Sequence, residues 1–205
     1  MTRVVEIPMQ PLTPDAFARF GQIVGDFDAP PIFEAPHLRS WRLDFELEGA
    51  AELMVVRYLH QPFEFTAIER HFDVTQSFMA LGDQPSVMVV AAPTDPQDWS
   101  AVPEPDALRA FYIPGDRGTM LWRGTWHALT RFPVRPGSAS FAMITGYDTQ
   151  RELERQKADG AAPRLTQEVD YLTRAGVRFR VIDPEGLGSG HRGGDFGGPV
   201  TSAAS

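Results

Sequence analysis

From residue 41 onward the chain is a succession of short segments in which apolar and polar side chains alternate, and no other feature limits its fold as much. In residues 41–48, WRLDFELE, Trp41, Leu43, Phe45 and Leu47 alternate with Arg42, Asp44, Glu46 and Glu48, the period of a half-buried strand. ELMVVRYL, FEFTAIERH, QSFMAL, SVMVVAA, LRAFYI, TMLW and SASFAMITG continue the series, separated by Gly-, Pro- and Asp-containing breakers. No helix of useful length comes between them. Antiparallel connection into a mainly β sandwich or barrel is therefore expected, rather than a βαβ layout.

The flanks read differently. LTPDAFARFG predicts one short helix: Thr13 caps it, Pro14 suits the first helical position, Phe17 and Phe20 share a face, and Gly21 ends it. Residues 93–106 carry four prolines and four acids, which argues against a central strand and predicts a loop. Residues 148–176 read as helical, with Thr166 capping TQEVDYLTRAG and a brief strand, VRFRVI, after it. From Pro184, seven glycines and few apolar residues predict a flexible tail. The 205 residues are expected to form one domain over 1–183, with an N-terminal arm and a C-terminal helical extension, and the tail at 184–205.

Composition removes several kinds of chemistry. Cysteine is absent, which excludes disulfides, thiolate ligands and a cysteine nucleophile, so any metal must be held by nitrogen and oxygen. Lys157, the only lysine, lies in the polar stretch DTQRELERQK, which argues against a Schiff base. Every other fixed cation is an arginine, the side chain suited to bidentate recognition of carboxylates. A formal net charge of -8 argues against a polyanionic partner such as nucleic acid. MTRVVEIPMQ lacks the apolar run of a signal peptide. No stretch approaches the roughly 18 apolar residues of a membrane span, and the expected compartment is the cytoplasm.

Of the five histidines, His37, His60, His71, His127 and His191, two adjoin sharply patterned strands. In ERHFDVTQSF, Glu69 and His71 are two apart, so an extended chain turns both to one face, and Gln76 and Phe78 repeat that spacing. In GTMLWRGTWHAL, His127 follows Gly124 by three residues. If the two segments pair across a barrel, Glu69, His71, Gln76 and His127 converge. Two imidazoles and a carboxylate form a facial set that suits a divalent transition metal and leaves positions open for substrate. A single E-x-H is by itself far more often a solvated strand face, and His127 alone reads equally well as a satisfied half-buried histidine. Only the combination of the two segments is specific.

Those segments resemble the two metal motifs of the cupins. The first motif, H-x-H followed by an acid and a glycine, is similar to Glu69-Arg70-His71, Gln76 and Gly82, with Glu and Gln as substitutions. The second, G-x-x-H, is matched by Gly124 to His127. IERHFDVTQSFMALGDQPSVMVVAAP, LRAFYIPGDRGTMLWRGTWHALTRFPV and the opening LTPDAFARFGQIV more specifically resemble the ureidoglycolate lyase (ureidoglycolate hydrolase) family, over residues 12–147. The chain departs from that family at Trp122 and Ala128, where members often carry histidine, and in a longer extension after Tyr147.

The resemblance implies a cupin-type antiparallel β-barrel, jelly-roll-like, with a few peripheral helices. It implies a lyase that splits ureidoglycolate into glyoxylate and urea, in purine (allantoin) nitrogen catabolism. A divalent metal held by His71, His127 and Glu69, with Gln76 near, would polarise the substrate; Glu69 and His127 are the catalytic candidates, Glu69 as the acid-base group if it is not a ligand. Candidates for binding the substrate are Arg57, read as an arginine entering the barrel interior; Arg123, near the barrel mouth; and Trp122, walling a pocket. For each arginine a structural salt bridge is the competing reading. Arg70, between Glu69 and His71, is expected on the opposite face. Two other functions use the same ligand set: a cupin-type metal-dependent oxygenase and a catalytically silent cupin that binds small carboxylates. Exposed strand edges and the two terminal segments make a homodimer the expected assembly, with no nucleic-acid or membrane partner.

Overall fold

The structure, a computed structural model, describes residues 2–189. In chain order the elements are β1 (Arg3–Pro11), α1 (Pro14–Phe17), β2 (Gly21–Val24), β3 (Phe33–Ala35), β4 (Leu38–Ser40), β5 (Ala51–Leu59), β6 (Glu64–Phe65), β7 (Ala67–His71), β8 (Ser77–Ala80) and β9 (Ser86–Ala91). They continue with β10 (Arg109–Ile113), β11 (Gly118–Leu121), β12 (Trp126–Ala128), β13 (Phe132–Pro133), β14 (Ser138–Gly146), α2 (Tyr147–Asp159), β15 (Thr166–Asp170), α3 (Tyr171–Ala175) and β16 (Val177–Ile182). The larger sheet runs β15-β7-β12-β9-β10-β1-β16-β6, with β13 also on β9, and the smaller runs β2-β11-β8-β14-β5. This is the mainly β architecture expected from the alternating segments, and it is of the cupin type that the resemblance implies.

Alternation assigns the faces. On β9, Val87, Val89 and Ala91 join one apolar cluster with Ile68, Trp126, Tyr171 and Phe179 on the outer side of the larger sheet. Met88 and Val90 face inward and pack with Phe111 and Ile113, and with Phe17, Phe20, Ile23 and Leu121 from the opposite layer. Every residue of β9 is buried, because the strand is covered on both faces. α1 forms as its signals predict: Thr13 Oγ1 accepts from the Ala16 N–H, and Phe17 and Phe20 are buried beside Phe111.

Three local expectations are corrected. Residues 41–48 do not form a strand; only Leu47 bridges to Val74. The alternation there is real, but the segment lacks a ladder partner. The Gln22 side-chain amide instead both donates to the Asp44 carbonyl and accepts from its N–H. The stretch 148–176 is not one helical run. α2 ends at Gly160 in the left-handed conformation (φ +75°), TQEVD becomes β15 antiparallel to β7, and Asp170 rather than Thr166 caps the following helix. Pairing with β7 satisfies the backbone of residues 166–170 and overrides local propensity.

The barrel is also not wholly antiparallel. β1, whose Ile7 and Met9 are buried at period two, pairs in parallel with both β10 and β16. Of the glycine-rich region 184–205, the part to Ser189 is described. There the Leu187 and Gly188 N–H groups donate to the Asp183 carboxylate. The rest, with His191, lies outside the described residues.

Candidate active site

β7 lies between β12 and β15 in the larger sheet, and register does the rest. His127 is opposite Glu69, and Glu69 is opposite Glu168; Thr166 is opposite His71. The turn into β12 needs Gly124, whose φ of +77° is left-handed; its N–H donates to the His71 carbonyl at 2.7 Å. Glu69, His71 and His127 therefore face a cavity of about 210 Å³ between the two sheets. The smaller sheet closes it through β5, β8 and β14, and Gln150 and Leu153 of α2 lie over one side.

The geometry brings together all four residues that the two motifs single out. One ligand atom from each of Glu69, His71 and His127 lies within 4.8 Å of the others. His71 Nε2 is 3.8 Å from Glu69 Oε1, and the two imidazole centroids are 5.2 Å apart. His127 Nδ1 donates to the Ala128 carbonyl at 3.1 Å, because a carbonyl can only accept. That leaves the lone pair on Nε2, which is buried without a partner among the described residues. His71 Nδ1 is hydrogen-bonded to Thr166 Oγ1 at 2.9 Å. Gln76 lines the same cavity with its Oε1 buried and unpartnered.

Burial lowers the pKa of both His71 and His127 to about 4, since water no longer solvates an imidazolium there. Both rings are neutral at pH 7 and available as donors. A buried, unpartnered imidazole nitrogen costs free energy unless something is bound to it. The donor set, two nitrogens and a carboxylate within coordination reach of one point, fits a divalent metal.

Two cavity residues lack a signal in the alternation pattern. Arg131 is 3% exposed, with its guanidinium 3.9 Å from the Phe78 ring centroid and 5.3 Å from that of Phe141. It lies in the short irregular link between β12 and β13, just before Phe132, where no period aims a side chain. Tyr58 adjoins Arg57 on β5, so the period-two rule that turns one inward turns the other outward. Burial raises the Tyr58 phenol, and the Arg131 charge pulls it partly back.

The three residues expected to bind substrate lie elsewhere. Arg57 is on the exposed face of β5, donating through Nε to Ser140 Oγ at 3.0 Å. Arg123 donates to the Phe72 carbonyl at 2.7 Å and pairs with Glu48, the structural salt bridge that was its competing reading. Trp122 donates to the Ala18 carbonyl at 2.9 Å and walls a different cavity with Trp41. Arg70 is on the opposite face of β7, as alternation requires. It is fully buried between Phe72 and Trp126 and donates to Gln167, Thr94 and Asp95, pinning the 93–106 loop behind the site.

Comparison with known proteins gives a consistent set of relatives. The family model described as ureidoglycolate lyase matches residues 4–162. A ureidoglycolate lyase of Burkholderia mallei is 34% identical over 131 residues, 59% of this chain and 72% of the relative. One from Rhodobacter capsulatus is 31% identical over 137 residues, 63% and 80% of the two chains. One from Azotobacter vinelandii is 28% identical over 130 residues, 59% and 74%. Each of these three matches leaves part of this chain uncovered.

Proposed function

The chain belongs to the ureidoglycolate lyase family, and from that premise we propose that it splits ureidoglycolate into glyoxylate and urea in the cavity between its two sheets. The observation that carries the assignment to this cavity is the convergence of Glu69, His71 and the unpartnered Nε2 of His127. In this reading His71, His127 and Glu69 would hold a divalent metal, and Gln76 lines the same cavity. The chemistry such an ion supplies is polarisation of the substrate's carboxylate and hydroxyl oxygens, which eases loss of the hydroxyl proton.

The chain's own residues manage the proton. The reaction removes a proton from the hydroxyl oxygen, turns that C–O bond into a carbonyl and breaks the C–N bond, with the electron pair leaving on nitrogen. The nitrogen then takes up a proton to become urea. Glu69 is suited to both transfers, because a carboxylate in the cavity wall can accept the hydroxyl proton and return it to nitrogen. The neutral state of His71 and His127 keeps them as ligands rather than as competing acids. The larger sheet and α2 limit access of bulk water.

The test is a coupled assay for urea and glyoxylate from racemic ureidoglycolate, run without oxygen and with added divalent metals. Urea release supports the lyase reading, and a requirement for oxygen would transfer the site to the oxygenase alternative. No urea under any condition would leave a carboxylate-binding cupin.

We further infer a homodimer formed through β5. This strand ends its sheet, and Leu53, Val55 and Leu59 on its outer face are 70%, 72% and 68% exposed. An unpaired edge that also carries a row of exposed aliphatic side chains is a surface proteins normally cover. A second copy does so symmetrically. Among the described residues no helix is long and apolar enough to cross a membrane.

A further inference from the structure

Arg131 carries a positive charge for which the described residues provide no counter-ion. The side chain is buried, and burial lowers its pKa to about 10, which leaves it charged at neutral pH. Its one hydrogen bond among the described residues runs from Nη2 to Thr119 Oγ1, at 2.8 Å, whereas a guanidinium has five N–H donors. None of the salt bridges among the described residues includes it. Phe78 and Phe141 flank the guanidinium, contacts that hold its plane but do not neutralise it. Arg131 lines the cavity that holds Glu69, His71 and His127.

A buried charge is strongly unfavourable unless a partner of opposite charge completes the pair. Glu69 does not complete it, since its contact is with His71. The guanidinium fork matches a carboxylate bidentately. We propose that Arg131 is the fixed counter-charge for the carboxylate of the substrate, so that the cavity selects small 2-hydroxy acids over their neutral amides. The proposal rests on the cavity being the reaction site. It moves the role of carboxylate anchor from Arg57 and Arg123 to a residue that the alternation pattern does not mark.

The experiment compares binding of glycolate and its neutral counterpart glycolamide to the wild-type protein, Arg131→Met and Arg131→Lys, alongside urea release from ureidoglycolate. Wild type is expected to prefer glycolate. Arg131→Met is expected to lose about 10- to 100-fold in glycolate affinity, the range of a charged hydrogen-bonded contact, with glycolamide unchanged. Arg131→Lys is expected to keep part of the preference, and it serves if the methionine variant does not fold. Thermal stability of Arg131→Met should hold or rise, because an uncompensated buried charge has been removed; a purely structural arginine would give the opposite. A wild type without preference, or a methionine variant that keeps it, overturns the assignment. If glycolate selectivity depends on Arg131 but no urea is released, the lyase reading falls while the anchor stands. Undiminished urea release by Arg131→Met has the reverse meaning.

Discussion

His127 lies directly opposite Glu69 in the antiparallel register of β12 on β7. Both side chains are on the cavity face, while their neighbours Trp126 and Arg70 stack on the other side of the sheet. One register thus fixes two layers at once: a polar constellation in front, and behind it a buried Arg–Trp contact that holds the 93–106 loop. A slip of one residue would turn every one of these side chains to the wrong face.

Replacing His127 with Ala removes the nitrogen that no group among the described residues satisfies. The expected result is loss of urea release by at least about 100-fold and a metal content far below one per chain. The melting temperature should stay near that of wild type, since no buried hydrogen-bond acceptor is orphaned except the Ala128 carbonyl. Metal analysis and thermal melts of protein purified without chelators check this.

Glu69→Gln separates holding a metal from carrying a proton. An amide keeps one oxygen donor and cannot act as a base at neutral pH. Turnover is expected to drop about 10²- to 10⁴-fold, with glycolate binding largely retained. Equal losses in turnover and in metal content would assign Glu69 to coordination alone.

Thr166 acts through His71. Its hydroxyl fixes the Nδ1 side of the ring, which decides where Nε2 points. Thr166→Val keeps the shape and β-branching of β15 but removes that bond. Metal affinity is expected to fall about 10- to 100-fold, the usual effect of losing such an orienting partner. Competition with a fluorescent chelator measures it.

The metal-free protein should be sensitive to acid. His71 and His127 have folded pKa values of about 4 against 6.5 when solvated. Between those values the unfolded chain binds more protons than the folded one, so stability falls as pH falls. It is full above about pH 6.5 and declines progressively towards pH 4, by on the order of 3 kcal/mol for each histidine. Urea midpoints across this range, with chelator present, should show the slope, and His127→Gln should remove about half of it.

Val55→Glu places a charge in the middle of the exposed β5 row while leaving the inward-facing Met54 and Val56 untouched. Light scattering should show the mass fall from two chains to one, with urea release per chain preserved. An unchanged mass would reject β5 as the contact.

Much of this protein was legible before folding because the informative signals are short-ranged. Period two placed Glu69 and His71 on one face and Arg70 on the other, and the helix signals at Thr13, Pro14 and Gly21 needed only adjacent residues. The misreadings share a cause. WRLDFELE alternates as well as any strand, but a strand exists only if another strand pairs with it. TQEVD reads as a helix start, but β7 supplies it with a ladder. Arg57 has apolar neighbours on both sides and so reads as inward-facing, but the ladder with β14 turns Tyr58 inward instead.

The amino-acid sequence alone determined a β-rich chain and the faces of most of its strands. It also excluded thiolate ligands and disulfides, because no cysteine is present. These are properties of neighbouring residues, set by strand geometry and side-chain chemistry. Only the tertiary structure decided that β12 lies beside β7, that His127 Nε2 is left without a partner, and that Arg131 enters the cavity from an irregular segment. Adjacency and exclusion of water depend on residues far apart in the chain, and the pKa values of the two histidines follow from that exclusion.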